Sequence, residues 1–512
     1  MLVRDFLEQS ARLTPDKVAL IFENERLTYS QIDTMASRLA NALIDNGVQR
    51  GDRVGVFLGN SVEAVVSVFA ILKANAVFVV INVNTKADKL AFVLNNCRAT
   101  ALISHVRLRD VVAEACPSVS SLHYLVLAGS AKQTHPSADI PTTGWDAALE
   151  AYPADQPPRR CIDMDLAALI YTSGSTGVSK GVMVTHLNMV SAATSVVAYL
   201  ENTSQDILLN ALPLSFSYGL YQVLTAFMVG GTLVLERGFV FPQAVLDRMA
   251  GERVTGFAGV PTVFALILQQ KHLDRLAFPH LRYITNAAAA LPVDHIRRLR
   301  EIFPHAAIYS MYGLTECKRA TYLPPDELDR RPDSVGIAIP NTEVWIENED
   351  GQRLGPNTVG ELIVRGAHVA RGYWENPEET ARMFRPGPIP GETVLHTGDL
   401  FRMDQEGFLY FVSRKDDIIK TRGEKVSPKE VENVLCALPG VMEVAVVGLP
   451  DPMLGEAIHA FVVPEDGQIL AEQEVILHCR RHLEDFMIPA HIEFRSELPK
   501  TESGKIRRAS LR

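Results

Sequence analysis

The sequence has no CxxC pair, no excess of positive charge and no uninterrupted apolar run of membrane-spanning length. Its six cysteines, Cys97, Cys116, Cys161, Cys317, Cys436 and Cys479, lie far apart. That spacing suits neither a zinc site nor a disulfide framework. They read as reduced thiols, most of them buried as small apolar side chains. A nucleic-acid binder normally carries a basic face, and a net charge of -10 suggests none. The most apolar stretch, 61–83, contains Glu63, Lys73 and Asn75, so it reads as a buried helix running into a strand. The N-terminus, MLVRDFLEQSARLTPDK, lacks the apolar core of a signal peptide, and a soluble cytoplasmic protein is expected.

What is present is the composition of a globular enzyme, with 47% hydrophobic and 21% charged residues. A chain of 512 residues is too long for one compact core, so at least two domains are expected. Helical and strand patterns alternate over most of the length. Residues 29–47 carry apolar positions at helical spacing and stop on Gly47. A strand is predicted at 52–60, a helix at 62–75 and a buried strand at 76–82. This rhythm implies a largely parallel sheet covered by helices. Residues 130–160, rich in Pro, Ala, Thr and Ser, read as surface loop. From about residue 340 short strands and turns take over, with Asp350-Gly351 as a hairpin signal, which suggests a small β-barrel subdomain. A separate α+β pattern follows SRKDDIIK (413–420). The expected division is 1–414 for a large domain and 415–512 for a small one.

The most informative segment is LAALIYTSGSTGVSKGVMVTH (166–186). Two apolar strand-like runs flank a turn of Ser, Thr and Gly. Glycines let the backbone approach a phosphate, and successive N–H groups form an anion nest. Thr172, Ser173, Ser175 and Thr176 add hydroxyls, Gly174 and Gly177 add freedom, and Lys180 adds charge. A Walker A loop is excluded, because Lys180 precedes Gly181 and no helix pattern follows.

Four further motifs stand in order along the chain: YGLTE (312–316), TGD (397–399), SRKDDIIKTRGEKVSP (413–428) and PKTESGKIRR (499–508). With these motifs the chain resembles the adenylate-forming superfamily of acyl-CoA synthetases, carrier-protein adenylation enzymes and luciferases. The resemblance implies helix-flanked β-sheets with a small mobile C-terminal lid. It implies ATP-dependent activation of a carboxylic acid to acyl-AMP, then transfer to a thiol. Coenzyme A is the expected acceptor; a separate carrier protein or an amine are the alternatives.

The resemblance also assigns roles. Glu316 would hold magnesium, which takes oxygen ligands and needs few from the protein. Thr315 would contact the α-phosphate, Tyr312 would stack on adenine, and Asp399 with Arg414 would hold the ribose hydroxyls. Lys505 would bridge carboxylate and phosphate oxygens. Asp416 would be the hinge, and the loop at Gly423 would line the thiol channel. Ala288 and Ala289 would border the nucleotide.

The acid pocket is expected between LPLSFSYGL (212–220) and TNAAAALP (285–292). Phe216 stands where relatives often carry His, and Ser217 where amino-acid-activating relatives carry Asp. A buried ammonium without a carboxylate is costly, so an acid without a free α-amine is expected. Ala287 and Ala288 occupy places where relatives show glycines, and Val260, Phe257 and Phe264 would add apolar lining. A fatty or aromatic acid fits this pocket. A degenerate nucleotide binder would be expected to lose Glu316 or Lys505, and both are present.

Overall fold

The computed structural model describes residues 1–511 apart from 130–139, 174–178, 271–272, 274–275, 288–290, 416, 422–423, 452–453 and 502–504. The helix expected at 29–47 is Tyr29–Asp45. Thr28 caps it, accepting from the Gln31 N–H while the Gln31 side chain accepts from the Thr28 N–H. The expected strand–helix–strand unit that follows is Arg53–Phe57, Val62–Lys73 and Val77–Val80. These strands belong to a seven-stranded sheet, parallel except where Leu166–Ser173 meets Ser179–Thr185. A nine-stranded sheet shares one continuous apolar core with it, and helices Tyr29–Asp45 and Val62–Lys73 lie in that core.

Residues 130–160 are not all loop. Among the described residues, Thr142–Gly144 adds a parallel strand and Trp145–Ala151 forms a helix. Trp145 and Ala148, three positions apart, are buried, and the helix packs on Tyr29–Asp45. The polar composition of the segment concealed this short apolar stripe.

In the nine-stranded sheet four neighbouring strands run parallel: Ile207–Asn210, Gly256–Gly259, Tyr283–Asn286 and Ala307–Tyr312. Their C-terminal ends therefore open on one edge, where open α/β sheets bind ligands. The third sheet is antiparallel and five-stranded. Its strands Val359–Gly366, Thr393–Met403 and Leu409–Arg414 carry the turn with Asp399 and end on Arg414. At the predicted hairpin, Gly351 adopts φ +76° and donates to the Asn348 carbonyl.

The C-terminal part has its own five-stranded sheet and its own core. Helices Pro428–Cys436 and Glu472–His482 bury Val431, Leu435, Val475 and Cys479 against one face. Leu498 and Leu511 cover the other. Such independent burial makes a second, smaller domain. Cys97, Cys116, Cys317 and Cys479 are buried, and Cys436 is exposed. Among the described residues no helix is long and apolar enough to cross a membrane.

Gly336 fastens the Leu409–Arg414 strand by accepting from the Leu409 N–H. It sits at φ +85°, and a Cβ there would lie 1.8 Å from the Tyr322 carbonyl oxygen. Gly336→Ala is therefore expected to destabilise the large domain by at least about 3 kcal/mol, read as a lower denaturation midpoint.

Candidate active site

The Ser/Thr/Gly turn joins two antiparallel strands, with Thr172 opposite Lys180 and Ser173 opposite Ser179. Gly174, Ser175, Thr176 and Gly177 lie outside the described residues. Lys180, expected to add charge to this turn, is paired with a carboxylate. Its Nζ donates to Glu379 Oε2 at 2.5 Å and lies 5.7 Å from the Tyr373 ring centroid. The segment before Glu379 is stitched to the strand carrying Lys180, because Trp374 donates to the Gly181 carbonyl at 2.7 Å.

YGLTE leaves the sheet at the end of Ala307–Tyr312 and folds into a tight turn. Gly313 is required there, since a Cβ would lie 2.4 Å from the Lys318 carbonyl oxygen. The turn sets Glu316 against Tyr373, whose hydroxyl donates to Oε1 at 2.6 Å. No hydrogen bond from the described residues reaches Glu316 Oε2. Thr315, in the same turn, is half-buried.

Tyr312 does more than offer a ring face. Its hydroxyl donates to Asp399 Oδ2 at 2.6 Å, and its ring meets Phe401 edge-on at 4.8 Å. Arg414 Nε lies 3.5 Å from Asp399 Oδ1. The Asp399 N–H donates to Thr397 Oγ1 at 3.2 Å, which shapes the turn. Burial pushes the Asp399 carboxyl above the usual range, against the pull of Tyr312, Arg414 and Lys505.

Glu361 is a site-supporting residue that no motif announced. It accepts from the Gly398 N–H at 2.9 Å and pairs with Lys415 at 3.4 Å. Burial opposes its ionisation. His396, the Gly398 N–H and Lys415 overcome that and hold its pKa down to about 2. Glu361 thus ties the Asp399 turn to the chain leaving Arg414. Asp416 and Gly423 lie outside the described residues.

Lys505 arrives from the small domain. The Lys500–Ile506 bridge and the Lys505 N–H bond to Thr501 Oγ1 at 3.1 Å hold its loop. Its side chain stands in the field of Asp399, Arg414 and Glu316. The residue is exposed as a whole, yet desolvation of its ammonium beside the large domain pushes it below the usual lysine range, and the two carboxylates partly restore it.

The pocket residues sit on the sheet edge described above. Ser217 opens a helix with Phe216 as its N-cap, and Val260 and Ala287 follow two adjacent strands. Ser217, Val260 and Ala287 are buried, and Phe257 and Phe264 meet edge-on at 6.2 Å behind Val260. Ala288 and Ala289 lie outside the described residues. Sequence reasoning missed Tyr373, Glu379 and Glu361. Only the carboxylates carried any signal, as acids near strand and helix ends.

Among the described residues no group of three or more His, Cys, Asp or Glu gathers around a metal. A single carboxylate oxygen at Glu316 fits an ion that draws its remaining ligands from phosphate and water, as magnesium does.

The AMP-binding enzyme family matches residues 7–374, and the AMP-binding enzyme C-terminal domain matches 430–505. The chain is 31% identical to a long-chain-fatty-acid–CoA ligase of Escherichia coli O157:H7, over 99% of this chain and 93% of that one. An anthranilate CoA ligase in complex with anthranoyl-AMP superposes with a TM-score of 0.90 at 28% identity, covering 100% of this chain and 96% of the other. The o-succinylbenzoate coenzyme A synthetase of Bacillus subtilis, solved with ATP and magnesium ion, gives 0.86 at 28% identity over 99% of each chain. The chain belongs to the AMP-binding enzyme family and is an AMP-forming acyl-CoA synthetase in type.

Proposed function

We propose that this enzyme activates an acid with an apolar fatty or aromatic body, and that the named residues divide the work as follows. The acid carboxylate attacks the α-phosphorus of ATP, and pyrophosphate leaves. The coenzyme A thiol then attacks the acyl carbon, and AMP leaves. Both partners in the first step are anions, so charge must be neutralised where they meet. Lys505 does this from the small domain. Asp399 and Arg414 hold the ribose, and Tyr312 positions Asp399 as well as flanking the adenine. Thr172, Ser173 and the turn to Gly177, with Thr315, take the phosphates, and Ala288 and Ala289 border the nucleotide. Lys180 holds the turn's far strand through Glu379. Magnesium, held by Glu316, would supply further neutralisation of phosphate charge.

The observation that carries this reading is the cluster of Tyr312, Asp399 and Arg414 at 2.6 and 3.5 Å in the large domain, with Lys505 of the small domain in the field of Asp399, Arg414 and Glu316. We take the boundary at 414/415, with Asp416 as the hinge and the loop at Gly423 serving the thiol after rotation. Phe216, Ser217, Val260 and Ala287 line the acid. Without a carboxylate at Ser217, the pocket suits acids lacking an α-amine.

The test is acid-dependent pyrophosphate release from ATP and magnesium, with and without coenzyme A. Fatty or aryl acids should give release and a thioester. Release confined to amino acids would overturn the pocket reading. Glu316→Gln keeps a partner for Tyr373 but removes the charge. It should lower release by roughly a hundredfold, the scale of one lost electrostatic contact in the transition state, and raise the magnesium concentration required. An unchanged magnesium requirement would remove Glu316 from that role.

A further inference from the structure

Two consecutive cations stand one residue beyond Glu316, past Cys317, and are buried side by side. Lys318 is 8% exposed and Arg319 is 4% exposed. The Lys318 ammonium lies 4.2 Å from the Tyr221 ring centroid and 5.8 Å from that of Tyr218. The Arg319 guanidinium lies 4.9 Å from the Tyr218 centroid, and its Nε has no hydrogen-bond partner. Among the described residues no carboxylate pairs with either cation. Aromatic faces offset only part of the cost of burying a charge. Other buried cations in this chain are paired: Lys73 meets Asp33 at 2.8 Å and Glu8 at 3.3 Å, and Arg4 meets Glu8 at 2.7 Å.

The place of this pair is informative. Its loop leaves the C-terminal end of Ala307–Tyr312, next to the strand ends carrying Ala287 and Val260. Tyr218 stands in the first turn of the helix that Ser217 opens, and its hydroxyl meets Thr285 Oγ1 at 2.5 Å. The rings beneath the cations therefore join the two walls assigned to the acid. We propose that Lys318, backed by Arg319, is the receptor for a second anionic group on the substrate, so that the acid taken is a dicarboxylic acid. This rests on the acid-pocket reading above. One carboxylate is activated near Lys505, and the other meets Lys318 across the apolar lining.

The experiment uses the full-length enzyme and matched acids: succinate through sebacate against butyrate through decanoate, and terephthalate against benzoate. Pyrophosphate release should favour the best dicarboxylate over its matched monoacid by roughly a hundredfold in kcat/KM, as expected for a site built around a polar group its competitor lacks. Lys318→Met should invert this ratio. It should also raise Tm, because it removes an unpaired buried charge; a merely structural lysine would lower Tm and leave the ratio alone. Equal or better use of monoacids by the wild type, with the ratio unmoved in Lys318→Met, would overturn the proposal. Thermal shift with each dicarboxylate gives a second readout. If no acid of either series releases pyrophosphate, the reading of the activity fails separately. Dicarboxylate stabilisation that Lys318→Met abolishes would still uphold the receptor, and its absence would sink it.

Discussion

Replacing Lys505 with alanine should lower acid-dependent pyrophosphate release by roughly a hundredfold or more, the scale of removing one preorganised transition-state donor. Thioester formation from supplied acyl-AMP and coenzyme A should persist. The two expectations separate because Lys505 belongs to the small domain and reaches the large domain's carboxylates from there. A long stem carrying a compact charge can bridge carboxylate and phosphate oxygens, and no rigid contact fixes it beforehand. The variant should fold, since the loop is held by the backbone bridge between Lys500 and Ile506. The pH profile offers a second check. Desolvation lowers the Lys505 pKa, so the charged form is lost at lower pH than for a free lysine. Adenylation kcat/KM, which reports the free enzyme, should therefore decline on the alkaline side below the usual lysine value of about 10.4. Lys505→Ala should erase that limb. Loss of thioester formation with adenylation intact would assign Lys505 to the other half-reaction.

The sequence announced its site where chemistry and local geometry coincide. The run from Leu166 to Thr185 reads as strand, turn and strand, and those strands form. Gly47 ends its helix region with φ +92°, as a helix stop should. Motif residues far apart in the chain, Tyr312 and Asp399, proved to be hydrogen-bonded. What stayed hidden depends on contacts no local pattern encodes. Glu379 meets Lys180 across 199 positions, and Tyr373 meets Glu316 across 57. Both come from the stretch 370–379, whose turns look ordinary until the backbone is seen pairing with Gly181 and Met183. Lys318 was hidden for a different reason. A Lys-Arg pair in a sequence reads as a solvated surface, and only the fold buries it against Tyr218 and Tyr221. The helix Trp145–Ala151 shows the same limit, because a seven-residue helix flanked by Pro- and Thr-rich sequence is not distinct until its packing partner is known.

Asp399→Ala should raise the KM for ATP by roughly a hundredfold or more, because charged hydrogen bonds are worth about 1.5–3 kcal/mol each and the ribose would lose two. The KM for the acid should change far less. The prediction follows from how the carboxylate is held. Tyr312 occupies one oxygen at 2.6 Å, and Arg414 approaches the other from 3.5 Å. Each oxygen retains lone pairs for further donors. Burial has already stripped water from this group and raised its pKa, so the ribose hydroxyls meet a carboxylate that is poorly solvated. Removing that buried charge also relieves its desolvation cost, which offsets the hydrogen bond lost from Tyr312. Stability should therefore shift little while nucleotide affinity collapses. Asp399→Asn separates charge from shape: it preserves an acceptor for Tyr312, and its ATP KM should fall between wild type and alanine. If Asp399→Ala instead raised the acid KM and spared that of ATP, the carboxylate would belong to the acid pocket, and the ribose would need another partner.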